Sequence, residues 1–219
     1  MSRDVSDVSN VAAVVMAAGA GRRMGHRPKS LLQRDGESLL LRQLRLLSEV
    51  GVQQIVVVLG HHASRLAPLL QDWGDARPAL RLQGVINPAP DEGPGSSLRC
   101  GLVGLPADLA GVMVLLGDQP LLEVQDLQFM LDAWEQRPAD IALVLPEHDG
   151  QPGHPLVLGP RARAAVMAMP EGGLRDWRRS HPQHVQALAV NHPRCTIDID
   201  TEADLARVAA EHGILLTWP

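Results

Sequence analysis

Short apolar runs alternate with helix-period segments along this chain, and that alternation constrains the fold more than any other feature. Val11 to Met16 is an unbroken apolar run and reads as a buried strand. Ile55 to Leu59, Leu82 to Ile86, Val112 to Leu116, residues 140–145 and residues 184–190 read the same way, with a short strand at 156–158 and another from Thr196 to Ile199. Between them lie helical patterns. Residues 38–50 carry Ser38 as N-cap and Gly51 just past the end, and further helices fall at 62–71, from a Ser96 cap to Gly104, at 123–136, 160–168 and 173–180, and from a Thr201 cap to His212. Strands that alternate with helices build a mostly parallel sheet with both faces covered. The expectation is a single α/β domain, a three-layer sandwich of Rossmann-like character, over residues 11–213. Residues 1–10 are expected to be a disordered tail and residues 214–219 a short C-terminal one.

Composition narrows the class. A net charge of −5 over 219 residues argues against a nucleic-acid binder. The chain has no run of about 18 apolar residues, the length a membrane span needs. The first ten residues are polar and lack the apolar stretch of a secretory leader. Cys100 and Cys195 stand far apart and form no metal or redox pattern, so the expected compartment is the cytoplasm. Lys29 is the only lysine, against nineteen arginines. A lone lysine in a glycine-rich loop suggests a task for a compact ammonium, although codon bias would explain it equally well.

In parallel sheets, ligands bind at the carboxyl ends of the strands. The loop after the first strand, Ala17 to Lys29, contains Gly19, Gly21 and Gly25 together with Arg22, Arg23 and Lys29. Glycines bring backbone N–H groups close to an anion, and the cations add charge, so the loop suits a triphosphate. It is not a dinucleotide fingerprint, because Met24 stands where the third glycine belongs. Nor is it a P-loop, because Lys29 follows Pro28. Asp118, in Gly117-Asp118-Gln119-Pro120 after the most apolar strand, is placed either to hold Mg²⁺ or to cap a turn. Asp198 and Asp200, two apart on an extended segment, can present both carboxylates to one cation, or can serve the next helix as caps. Gly93 and Gly95 ahead of Ser96 and Ser97 form a second place for close backbone approach at a helix N-terminus.

Together these loops resemble the molybdenum cofactor nucleotidyltransferases, in particular their cytidylyltransferase branch, which share the glycosyltransferase-A type of fold. The resemblance rests on Ala17 to Gly25 with Lys29, Gly93 to Leu98, Gly117 to Pro120, Gly153-His154-Pro155 and Asp198 to Thr201, in that order across residues 11–212. It implies transfer of a nucleotidyl group, CMP from CTP by preference, to the phosphate of molybdopterin with release of pyrophosphate. It also implies a molybdoenzyme as eventual recipient of the product. In that reading Ala17, Ala18, Gly19, Gly21, Arg22, Gly93, Gly95, Ser96 and Ser97 hold the nucleotide. Lys29 and Arg23 neutralise phosphate charge. Asp118 holds Mg²⁺ or Mn²⁺, with Asp198 or Asp200 completing the metal site, and Gln119 and His154 face the acceptor.

Guanylyl-transferring relatives carry Gly where this chain has Ala18, so the Ala18 methyl is expected to narrow the base pocket toward a pyrimidine. Two departures stand out. Pro94 replaces the usual Met, and Glu171 to Trp177 matches the acceptor-side segment only loosely. A guanylyltransferase, a sugar-phosphate nucleotidyltransferase or a non-catalytic cofactor carrier are the competing readings.

Overall fold

A computed structural model describes residues 10–219; the tail read over residues 1–10 lies, apart from Asn10, outside the described residues. The chain opens with β1 (Val11–Ala17), followed by a loop and a small hairpin, β2 (Gln33–Arg34) and β3 (Glu37–Ser38). Next come α1 (Leu39–Glu49), β4 (Gln54–Leu59), α2 (Ala63–Asp75), β5 (Arg81–Ile86) and α3 (Pro94–Val103). The second half runs β6 (Gly111–Leu116), α4 (Val124–Gln136), β7 (Leu143–His148), β8 (Gln151–Pro152), β9 (Leu156–Leu158) and α5 (Pro160–Ala168). It ends with α6 (Leu174–Ser180), β10 (Val185–Ala189), α7 (Glu202–His212) and β11 (Leu216–Thr217).

The main sheet has the order β10-β7-β9-β6-β1-β4-β5, with β8 added beside β7. All neighbours are parallel except β9, which runs antiparallel between β6 and β7, and β8, which is antiparallel to β7. Side chains of β1 alternate between two cores, as a strand's period of two requires. Ala13, Val15 and Ala17 pack with Leu40, Leu66 and Leu127 from α1, α2 and α4. Ala12 and Val14 pack with Leu98, Ala162 and Trp177 from α3, α5 and α6. The three-layer expectation is therefore met. Among the described residues no helix is long and apolar enough to cross a membrane.

Several boundaries move for identifiable reasons. The helix expected from Ser96 begins at Pro94, because proline's fixed φ and missing N–H suit a first helical position and Gly93 precedes it. The strand expected at 140–145 starts three residues later, at Leu143. Thr196 to Ile199 is not a strand. Thr196 follows a 3₁₀ turn at Pro193–Cys195, and the segment then lies against the Asp118 loop. The residues read as a C-terminal tail contain β11, which pairs antiparallel with β2 in a separate three-stranded sheet. Ile214, Leu216 and Trp218 there cover a third cluster of Met24, Leu32, Leu39, Leu121, Ile199 and Val208. The Arg27 guanidinium lies 4.0 Å from the centre of the Trp218 ring. This cluster fastens the chain's last segments to the loop that follows β1.

Candidate functional site

The β1 loop is shaped by its glycines in two different ways. Gly21 adopts φ +61, and a Cβ there would lie 2.0 Å from the Arg27 carbonyl oxygen, so only glycine permits this turn. The Gly21 carbonyl accepts from the Met24 and His26 N–H groups at 2.9 Å each. The N–H groups of Gly19, Ala20 and Gly21 have no partner among the described residues, which leaves them available to an anion. These residues line a cavity of about 490 Å³ with Arg22, Arg23, Lys29, Asp91, Pro94 and Asp200.

Lys29 sits at the floor of the charged end. Its Nζ lies 2.6 Å from Asp118 Oδ2 and 2.6 Å from Asp200 Oδ1. Arg23 pairs with the other oxygen of Asp200. Asp118, Asp198 and Asp200 each offer a carboxylate oxygen within 4.8 Å of the other two. The capping alternatives are taken by other residues. Asp126 accepts from the Glu123 N–H at the start of α4, and Thr201 with Asp204 caps α7. Asp118, Asp198 and Asp200 are thus left with their charges facing one another.

The electrostatics follow from that crowding. Burial raises the Asp118 carboxyl above the ordinary carboxylate range, against the pull of Lys29. Burial likewise pushes Asp198 up, helped by the charges of Asp118 and Asp200. For Asp200, burial pushes up too, but hydrogen bonding and charge from Lys29 and Arg23 outweigh it and hold the group low. Burial works against the Lys29 ammonium, yet Asp118 and Asp200 raise it above its usual value. Three hard oxygen donors at this spacing, with only one ammonium between them, fit a divalent cation such as Mg²⁺ or Mn²⁺.

A second cavity, of about 640 Å³, adjoins the first at Pro94. Its floor is apolar, from Met16, Leu98, Val114, Leu145 and Leu156, and its rim carries His154, Arg175 and Arg178. Burial lowers the His154 ring to about 4, with the Arg178 charge adding to the effect. The ring has no hydrogen-bond partner among the described residues. Because the unfolded chain keeps the ordinary value of 6.5, it takes up this proton first on acidification. Stability is therefore expected to be unaffected by His154 above pH 6.5 and to fall between pH 6.5 and about 4. Denaturant midpoints measured across that range should fall less steeply for His154→Gln than for the unaltered chain.

Other expectations need correction. Gln119 does not face an acceptor: it is 1% exposed, and its Nε2 donates to the Cys195 carbonyl at 2.9 Å. Ser96 and Ser97 both accept hydrogen bonds from Asn87 Nδ2, at 3.1 and 3.0 Å, so their hydroxyls close the 87–97 loop. The close approach at Gly95 is to protein, since a Cβ there would lie 1.9 Å from the Gly172 carbonyl oxygen. Arg22 reaches outward to Asp91 at 2.7 Å. Asp91 in turn meets His61 at 3.0 Å, and nothing in the sequence pattern marked either residue. Ala18 is buried, and its methyl packs toward Gly60, where any added Cβ would come within 2.9 Å of it. The methyl is turned into the core and lines neither cavity. Ala18→Gly is accordingly expected to leave the ratio of kcat/KM for CTP and GTP unchanged within about twofold, where a pocket-lining methyl would move it about tenfold or more.

Residues 13–186 match the model of the MobA-like NTP transferase domain. Bifunctional protein GlmU of Mycobacterium avium is 42% identical over 123 residues, which is 54% of this chain and 24% of GlmU. The chain thus spans about a quarter of the length of that relative. Rv0371c from Mycobacterium tuberculosis H37Rv superposes with a TM-score of 0.74 at 23% identity, covering 93% of this chain and 99% of that one. Its complex with manganese gives 0.70 at 23% identity, covering 93% and 100%. CMP:2-keto-3-deoxy-manno-octonic acid synthetase complexed with CTP gives 0.68 at 14% identity, covering 94% and 99%. The architecture is the α/β nucleotidyltransferase fold. The chain belongs to the family of MobA-like NTP transferase domains.

Proposed function

We propose that this chain transfers CMP from CTP to the phosphate of a molybdopterin-type acceptor and releases pyrophosphate. The observation that carries the proposal is the junction of Lys29, Asp118, Asp198 and Asp200 at the end of a cavity walled by Gly19, Gly21 and Arg23. A triphosphate fits that geometry, with backbone N–H groups and Arg23 along its oxygens and Lys29 at the α-phosphate end. CTP bound to a synthetase of the same fold, and manganese bound to Rv0371c, support the choice of nucleotide and ion.

The acceptor phosphate is already an anionic nucleophile, so no general base is required. An acceptor oxygen forms a bond to the α-phosphorus while the bond from that phosphorus to the bridging oxygen of pyrophosphate breaks. The protein's task is to hold two anions together and to neutralise the charge that builds up between them. Lys29, held charged by its two carboxylates, is placed to do this. Asp118, Asp198 and Asp200 would hold a divalent cation, which when bound adds charge neutralisation at the same phosphoryl group.

The second cavity supports an acceptor with a flat apolar body and an anionic group. Its apolar floor would take the ring system, Arg175 and Arg178 would meet the phosphate, and the neutral His154 ring offers one donor and one acceptor. Pro94 lines both cavities, so substrates bound in them would lie side by side. A molybdoenzyme would then receive the product, and the cytoplasm is where such a transfer would operate. The test is pyrophosphate release with each of the four NTPs, with and without molybdopterin. Acceptor-dependent release that favours CTP is the expected result. Release with a sugar phosphate but not with molybdopterin would reassign the acceptor, and no release with any pair would make the chain a carrier.

A further inference from the structure

We infer that Gln119 is a positioning residue that sets the cation site through the Cys195 carbonyl and ties that site to the acceptor cavity. The inference rests on reading Asp118, Asp198 and Asp200 as ligands of one divalent cation. Asp198 and Asp200 lie on a stretch that is neither helix nor strand, so no regular ladder fixes where their carboxylates stand. Hydrogen bonds do so instead: the Asp200 N–H donates to Asp204 Oδ2 at 3.0 Å, and two further bonds tie the segment to the Asp118 loop. Gln119 Nε2 donates to the Cys195 carbonyl at 2.9 Å, and the Ile199 N–H donates to the Asp118 carbonyl at 3.2 Å. Asp198 falls between these ties and Asp200 just beyond them. Both ties start from the same two residues, Asp118 and Gln119, so the carboxylate from one loop and the carboxylates from the other share one reference.

The Gln119 backbone is itself held from behind. Gln43, fully buried on α1, donates its Nε2 to the Gln119 carbonyl at 2.7 Å. The Cys195 carbonyl also accepts the His154 N–H, at 2.8 Å. A Cβ on Gly153 would come within 2.5 Å of that carbonyl oxygen, so the contact is close on both sides. One carbonyl oxygen thus receives the segment that carries the cation ligands' neighbour and the segment that carries His154. A shift of Cys195 would move the cation ligands and the acceptor-facing histidine together. Each amide pairs its Nε2 donor in this way, while the buried Oε1 atoms of Gln43 and Gln119 have no partner among the described residues.

The experiment uses the full chain and Mn²⁺ as probe, with free Mn²⁺ followed by electron paramagnetic resonance. Gln119→Met keeps the volume and removes the donor. The expected result is a rise in the Mn²⁺ dissociation constant of about tenfold or more, the usual scale for losing a partner of a metal-binding segment. Faster amide exchange over residues 196–200 should accompany it. A merely structural role would lower the melting temperature but leave Mn²⁺ affinity of the folded protein unchanged, and that outcome overturns the inference. Gln43→Met provides a second variant, expected to weaken Mn²⁺ in the same direction by a smaller factor, so the inference is tested even if Gln119→Met does not fold. Tight Mn²⁺ binding by the unaltered chain together with unaltered binding in both variants defeats this inference alone. Failure of the unaltered chain to bind Mn²⁺ defeats the cation reading as well.

Discussion

Asp118→Ala is expected to abolish cation-dependent pyrophosphate release while leaving the sheet folded. Asp118 closes β6 into its loop, and its carboxylate joins Lys29 and the pair at 198 and 200. Without it, the remaining carboxylates come from one short segment, and one of them is already paired with Lys29 and Arg23. Asp200 is paired with Lys29 and Arg23, whereas Asp198 forms no salt bridge among the described residues. That difference separates the two. Asp198→Ala should weaken the cation more than Asp200→Ala, since no cationic side chain is directly paired with Asp198. The double variant should match Asp118→Ala. Titration of Mg²⁺ against rate for each variant checks the order. Unchanged cation dependence in Asp118→Ala would remove it from the site.

Lys29→Ala is expected to lower kcat/KM by about 100-fold or more, which corresponds to about 2.7 kcal/mol of stabilisation realised in the transition state. The same variant should still bind Mn²⁺. Removing the ammonium leaves three carboxylates without their nearest cation, so a metal ion gains attraction there even as catalysis is lost. This pair of results distinguishes a charge that acts on the phosphoryl group from one that merely holds the carboxylates apart. Single-turnover rates together with Mn²⁺ binding on the same preparation give both numbers. A near-normal rate, or a rate loss explained entirely by lost metal, would count against the assignment.

The sequence disclosed elements whose signals are local. An unbroken apolar run defined β1, and Ser38 with Gly51 bounded α1, where Ser38 Oγ accepts from the Leu41 N–H and Gly51 takes φ +85. Elements fixed by distant partners stayed hidden. The hairpin of β2 and β3 has only two residues per strand, too short for any alternation to register, and β11 completes it from the far end of the chain. The antiparallel insertion of β9 between β6 and β7 cannot be seen in a three-residue run. The same division holds in the site. Lys29 stood out as the one lysine in a glycine-rich loop, Asp118 as a charge directly after an apolar strand, and Asp198 and Asp200 by their spacing of two, and the structure brings the four together. Gln119 and Ala18 were misread because the direction a side chain takes depends on what packs behind it, Cys195 in one case and Gly60 in the other.

The family match ends at residue 186, yet Asp198 and Asp200 lie beyond it, on a segment held by Ile199 and Val208 in the third cluster. Every strand of the main sheet lies before residue 190. The main sheet and the second cavity are thus drawn wholly from residues before 190, whereas the cavity at the glycine loop takes Asp200 from beyond them. One acidic cluster is divided between two stretches of chain, with Asp118 on the sheet and Asp198 and Asp200 on a segment that the third cluster fastens to it.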